Sequence, residues 1–173
     1  MSPLSDIPLP LRLLVAGLRG PARPRVRTAL VALGPAAYPA APHAWVPGLG
    51  LNATHLGLHV ADRCQAHGHV SLDAARLLDY AIGLLPDPEA PEQPDPAQAG
   101  VWAWGADALL AKLSQDERTV FWARLFGTYS FRPPLLLVLP TALLARFGPP
   151  ALDLAHTWQA AEGSGAPRYL LLP

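Results

Sequence analysis

The chain has 173 residues, of which 51% are hydrophobic and 15% charged, and its 13 basic residues balance its 13 acidic residues. This length suits a single domain spanning residues 1–173, and high hydrophobicity with low charge excludes an intrinsically disordered chain. Zero net charge excludes a global field that would draw the protein to nucleic acid or to an anionic membrane. Because Cys64 is the one cysteine, no intramolecular disulfide can form.

Three features bear on the source and the location of the protein. No uncharged apolar run approaches the ~20 residues of a membrane helix, and residues 1–10 lack the basic and apolar regions of a signal peptide. Every basic residue except Lys112 is an arginine, which is typical of GC-rich bacterial coding. We therefore expect a bacterial, cytoplasmic protein with no membrane partner.

Apolar residues at helical spacing predict a first helix that ends at Gly20, namely Leu11, Leu14, Val15 and Leu18. The alternative is a buried strand over residues 11–16. A second short helix is predicted from Val26, Leu30 and Leu33, and four prolines between residues 35 and 47 then prevent long regular structure.

Residues 51–70 fit a strand or a helix equally well. The next helix is clearer: Ser71 can cap it, and its apolar face consists of Leu72, Ala75, Leu78 and Ile82. Residues 86–100 contain five prolines, four acidic residues and no large apolar residue. They are predicted to form an exposed acidic loop that separates two halves of one domain.

The second half begins with a predicted helix over residues 102–113, and a capping-box pattern from Ser114 to Glu117 opens another that ends at Gly127. Leu135–Leu139 is an apolar run between prolines, which favours a strand buried on both faces. Short helices are expected over residues 141–147, capped by Thr141, and 152–161, and Tyr169–Leu172 is expected to form a strand beside the first.

These elements predict an α+β fold, a mostly helical single domain with a small buried sheet that contains Leu135–Leu139 and Tyr169–Leu172. The alternative is a three-layer α/β fold in which residues 11–16 also form a strand.

A cluster of metal-binding residue types lies in the ambiguous segment. On a helix, His55 and His59 would be one turn apart, and Cys64 and His67 could complete a tetrahedral site for a divalent metal, the one cofactor that the sequence suggests. The alternative is a polar or capping role for these histidines, and Cys64 is expected to be an inert thiol rather than a nucleophile.

Arginines are concentrated near the start of the chain, where Arg19, Arg23, Arg25 and Arg27 are candidates for contacts with nucleic-acid phosphates. The alternative is a solvated basic turn. An active P-loop ATPase is excluded, because the glycine turn at Gly17 and Gly20 lacks the Lys-Ser/Thr pair that holds phosphate and magnesium, although an inactive relative is compatible with the sequence.

Aromatic residues are dense in the second half, and most of them are expected in the core. Tryptophans on more than one side of a helix, with arginines nearby, are also typical of protein interfaces. The candidate interaction residues are Trp102, Trp104, Trp122, Arg124 and Arg132.

Two short segments carry a faint resemblance. Residues 100–113 (GVWAWGADALLAKL) and 132–140 (RPPLLLVLP) are similar to the C-terminal part of small accessory proteins of BREX-type phage-defence operons. The resemblance does not extend to the first 100 residues and assigns no residue a role. It transfers no function and only favours the interpretation of the chain as an interaction subunit.

The sequence thus predicts a non-enzymatic interaction or accessory subunit of a bacterial cytoplasmic assembly, whose partner is another protein chain or a second copy of itself. The alternatives are a nucleic-acid accessory protein that uses the arginine cluster, and a metal-binding protein or metalloenzyme that uses residues 55–69.

Overall fold

The computed structural model describes residues 7–19, 27–68, 71–85, 100–127, 133–150 and 168–173. In these ranges the α-helices are α1 (Leu9–Arg19), α2 (Ala37–Ala44), α3 (Leu56–His67), α4 (Ala74–Ile82), α5 (Asp107–Leu110), α6 (Gln115–Gly127) and α7 (Thr141–Phe147). The strands are β1 (Thr28–Leu33), β2 (Asn52–His55), β3 (Val101–Trp104), β4 (Leu135–Pro140) and β5 (Tyr169–Leu172).

The five strands form one parallel sheet in the order β2-β3-β4-β1-β5. The protein therefore belongs to the mixed helix-and-strand class that the sequence predicts. Strands from before and after the acidic segment pair in this sheet, which joins the two halves of the chain. The predicted strands at β4 and β5 are confirmed, but β1 lies between them instead of leaving them adjacent.

Side chains on both faces of the sheet are buried. On one face, Leu30 of β1 and the odd-numbered residues of β4 pack against α3, α4, α6 and α7. On the other face, Val31 of β1 and both Leu136 and Val138 of β4 pack against α1 and α2. Strands covered in this way show no polar alternation, because neither set of alternating side chains meets water.

Because these strands lack polar alternation, two of them were predicted to be helical. Thr28–Leu33 was predicted to be a helix, yet it is the strand β1, and all six of its residues are buried. The predicted helix over residues 102–113 is likewise wrong at its start, where residues 102–104 belong to the strand β3, and only Asp107–Leu110 of that region is helical. Short apolar runs that are buried throughout fit both periodicities, and pairing with neighbouring strands decides between them.

The structure also gives the boundaries of the other predicted elements. Residues 11–16 lie in the helix α1, so the alternative strand is not formed. The ambiguous segment contains both elements, since β2 ends at His55 and α3 starts at the next residue. Helix α4 is capped by Asp73 rather than Ser71, and α7 begins after Pro140 without the side-chain cap predicted at Thr141.

The capping box is confirmed. The Ser114 hydroxyl accepts a hydrogen bond from the Glu117 amide at 3.2 Å, and the Glu117 carboxylate accepts one from the Ser114 amide at 2.8 Å. The predicted acidic loop, apart from Gly100, and the predicted helix over 152–161 lie outside the described residues. Of the helices in the described ranges, none is long and apolar enough to cross a membrane.

Candidate functional site

The carboxyl ends of the parallel strands bring three aromatic side chains together. Tyr38 lies in the first turn of α2, which follows β1, whereas His55 and Trp104 are the last residues of β2 and β3. The Trp104 indole makes edge contacts with both neighbours, at ring-centroid distances of 6.2 Å to Tyr38 and 4.4 Å to His55. Crevices at this edge are where open α/β sheets bind their ligands.

Tyr38 ties α2 to the chain that leaves β3. Its hydroxyl accepts a hydrogen bond from the Gly105 amide at 2.9 Å and donates one to the Asp107 carboxylate at 3.2 Å. Burial of the phenol raises the pKa of Tyr38 to about 12; the hydrogen bond from the Gly105 amide opposes this rise, and the nearby Asp107 carboxylate adds to it. The hydroxyl is therefore a protonated structural link at neutral pH.

His55 is the N-cap of α3. Its Nδ1 accepts a hydrogen bond from the Leu58 amide at 3.2 Å, so the neutral ring carries its proton on Nε2. Gly105 has a positive φ of 73° and faces this ring closely: a Cβ at this position would lie 2.6 Å from His55 Nε2. The turn after β3 thus requires glycine for its backbone conformation and for the position of the imidazole.

A cavity of about 450 Å³ opens beside this cap, between α3 and α5. We call it the α3–α5 groove. Leu58 at its edge is 64% exposed. The described lining consists of His55, Gly57, Leu58, Val60, Ala61, Cys64, Ser71, Leu72, Ala108, Leu109 and Lys112.

The groove has few polar side chains, and those of His55 and Cys64 each contact a different neighbour. His55 Nδ1 caps α3, and the Cys64 thiol contacts the Tyr80 hydroxyl at 3.8 Å. Lys112 is the one cation of the described lining, which contains no carboxylate. Such a surface favours binding of an apolar group with a negative charge at one end over acid–base catalysis.

The predicted metal ligands do not form a site among the residues that the structure describes. His55 is the N-cap of α3, and His59 lies in its first turn. His67 is the last residue of α3, and its Nδ1 contacts the Arg63 carbonyl at 2.8 Å. Partial burial and the charge of Arg63 lower the pKa of His59. In the described ranges, no three side chains of His, Cys, Asp and Glu come together as metal ligands.

The N-terminal arginines are engaged within the fold where the structure describes them. Arg19 donates hydrogen bonds to the carbonyls of Leu49, at 2.7 Å, and Gly50, at 2.8 Å, and burial lowers its pKa. Arg27 is only 4% exposed. Arg23 and Arg25 lie outside the described residues. Two of the four candidate phosphate contacts are therefore structural in this conformation.

The candidate interaction residues are placed differently from one another. Trp102 and Trp122 are both 0% exposed, so their side chains offer no surface to a partner of the folded domain. Trp104 is partly exposed and Arg124 is exposed, while Arg132 lies outside the described residues. Of the tryptophans in this set, Trp104 is the one that reaches the carboxyl edge of the sheet.

Sequence reasoning missed several residues of this region, among them Tyr38, Gly105, Leu58 and Lys112. The signal that could have found Gly105 is its position directly after β3, and that for Tyr38 is its position in the first helix after β1, but both strands were assigned to helices. Leu58 gave no signal, because its exposure depends on the packing of α3.

Comparison of the chain with protein-family profiles, with curated proteins and with solved structures finds no match.

Proposed function

We propose that this protein is a non-enzymatic interaction subunit that binds an apolar helix of another protein in the α3–α5 groove. The observation that carries the proposal is the exposure of Leu58, 64% of whose surface meets solvent at the edge of an open apolar cavity. Covering this side chain and the apolar lining would remove nonpolar surface from water, which stabilises a complex by about 25 cal/mol per Å² before the costs of association.

The form of the groove favours a helical occupant. It runs along α3, where Gly57, Ala61 and Cys64 are spaced i, i+4 and i+7 on one helix face and Leu58 lies beside them. Amphipathic helices bind such surfaces through apolar side chains at i, i+3, i+4 and i+7. The opposite wall is formed by Ala108 and Leu109 of α5, so an inserted side chain would contact two elements.

The positive charge at the groove calls for a negative charge on the partner helix. Lys112 lies at the rim, and the described lining contains no acidic residue that could neutralise it. An aspartate or glutamate at the end of the apolar face of the partner helix would pair with this ammonium group. Such a pair contributes orientation and specificity more than affinity.

Site-specific photocrosslinking tests the proposal. Benzoylphenylalanine is placed at position 58 in the full chain, crosslinks are formed in cells that naturally contain the protein, and mass spectrometry maps the crosslinked peptide. We expect one partner segment with apolar residues at helical spacing and an adjacent acidic residue. Leu58→Asp, with the crosslinker at position 61, should reduce that crosslink at least about tenfold, because a buried charge opposes docking.

Leu13 provides a matched control. It is 61% exposed and lies on α1, which covers the opposite face of the sheet. Leu13→Asp should leave the crosslink at position 61 unchanged, and a crosslinker at position 13 should not capture the same segment. Crosslinks from position 58 only to a second copy of this chain, or a yield equal to that from position 13, would contradict the proposed partner.

A further inference from the structure

A second, polar cavity lies between the start of α6 and the end of α7. Its volume is about 310 Å³, and its described lining consists of Gln115, Arg118, Thr119, Ala145, Arg146, Gly148 and Pro150. Two of these seven residues are arginines and none is acidic. It is separate from the α3–α5 groove, with which it shares no lining residue.

Both guanidinium groups are held against one aromatic ring. The Cζ atom of Arg118 lies 5.8 Å from the centroid of the Phe147 ring, and that of Arg146 lies 5.2 Å from it. Phe147 is itself buried in the core and provides a fixed support. The packing therefore brings two positive charges to one small cavity, an arrangement that a bound anion would stabilise.

The arginines retain free hydrogen-bond donors. Arg118 uses Nη1 to hold the carbonyls of Leu110 and Leu113, at 3.3 Å and 2.5 Å, which fixes the position of its guanidinium group. Its Nε and Nη2 donate no hydrogen bond among the described residues, and Arg146 makes only the contact with Phe147 there. No described carboxylate forms an ion pair with either arginine.

From this arrangement we infer a binding site for the phosphate group of a small molecule. A phosphate monoester carries a charge of about −1.5 to −2 at pH 7 and three acceptor oxygens, which matches two guanidinium forks better than a singly charged carboxylate does. The side-chain amide of Gln115 adds another donor at the same cavity. The cavity lies at the lower end of the range of ~300–1,000 Å³ that small-molecule sites occupy.

Titration calorimetry of the full chain tests the site, with inorganic phosphate and glycerol 3-phosphate as probes at constant ionic strength. Saturable binding of either probe is expected, and a higher affinity for glycerol 3-phosphate would show that an ester rather than the free ion is preferred. Acetate at the same concentrations should bind at least about tenfold more weakly. Equal binding of acetate would overturn the assignment to phosphate.

Three variants make the result specific. Arg146→Gln should lower the affinity for the bound probe at least about tenfold, which corresponds to the loss of one charge-assisted contact. Arg118→Lys keeps the charge but loses the planar fork, and we expect the same direction of change. Arg12→Gln, an exposed arginine of α1 on the opposite face of the sheet, should have no effect. Unchanged affinity in Arg146→Gln, or no saturable binding of either probe, would overturn the inference.

Discussion

The imidazole of His55 lies edge-on to the indole of Trp104, with 4.4 Å between the ring centroids and 66° between the ring planes. The two residues end neighbouring parallel strands and are paired in register. Through this contact the cap of α3, and with it the wall of the α3–α5 groove, is held against the carboxyl edge of the sheet.

Gly105 follows Trp104, and its replacement tests how closely the turn after β3 packs against the His55 imidazole. Gly105→Ala would place a methyl group 2.6 Å from His55 Nε2 at a φ of 73°. We expect a loss of about 1–3 kcal/mol in the free energy of unfolding, measured by denaturant titration. Gly17→Ala is the control, because that helical glycine has no atom within 4 Å of the added Cβ. It should stabilise α1 by about 0.5–1 kcal/mol. A neutral Gly105→Ala would show that the imidazole can move aside without cost.

Tyr38 makes the stability of the protein sensitive to alkaline pH. The pKa of its phenol is about 12 in the fold against an ordinary value of 10.0, so between these values the folded state keeps a proton that the unfolded state loses. The contribution of Tyr38 to stability is therefore fully present below pH 10 and falls as the pH rises toward 12. Tyr38→Phe should make the dependence of the unfolding free energy on pH shallower in this window. An identical slope in the two proteins would contradict the structural role of the hydroxyl.

The features that could be predicted from the sequence are those that depend on residues close together in the chain. The capping box of Ser114 and Glu117 involves residues three apart, and β4 is delimited by prolines, so both were predictable. The hydrogen bond from the Gly105 amide to the Tyr38 hydroxyl joins residues 67 apart. Its formation depends on the strand order, which no local pattern in either segment contains.

The burial of the tryptophans also depends on contacts that no local sequence pattern contains. Their density suggested an interface, because a single helix cannot bury aromatic side chains on two sides by itself. In the fold, Trp122 contacts Phe121 and Phe126 at ring-centroid distances of 5.3 and 5.8 Å, and Trp102 points to the opposite face of the sheet. Two separate hydrophobic clusters, one on each face of the sheet, therefore bury them.

The two buried tryptophans should differ in their contribution to stability. The Trp122 indole donates a hydrogen bond to the Phe147 carbonyl at 2.8 Å, whereas the indole nitrogen of Trp102 has no partner among the described residues. Trp122→Phe should thus cost about 1 kcal/mol more in unfolding free energy than Trp102→Phe, because it also leaves a carbonyl unpaired. Chemical denaturation of both variants measures the difference. A larger cost for Trp102→Phe would show that cavity formation outweighs the hydrogen bond.

Lys112 tests the charge proposed for the partner of the α3–α5 groove. It is exposed and lies in the turn after α5, so its replacement should leave the fold unchanged. If the bound helix places a carboxylate at this rim, Lys112→Glu should weaken the complex by a factor of about 5–30. Lys112→Arg should retain binding, and added salt should weaken the wild-type complex but not that of Lys112→Gln. The quantity to measure is the dissociation constant for the crosslinked segment, made as a synthetic peptide. A Lys112→Glu variant that binds as tightly as the wild type would assign recognition to the apolar lining alone, because the only cation of the described rim would then contribute nothing.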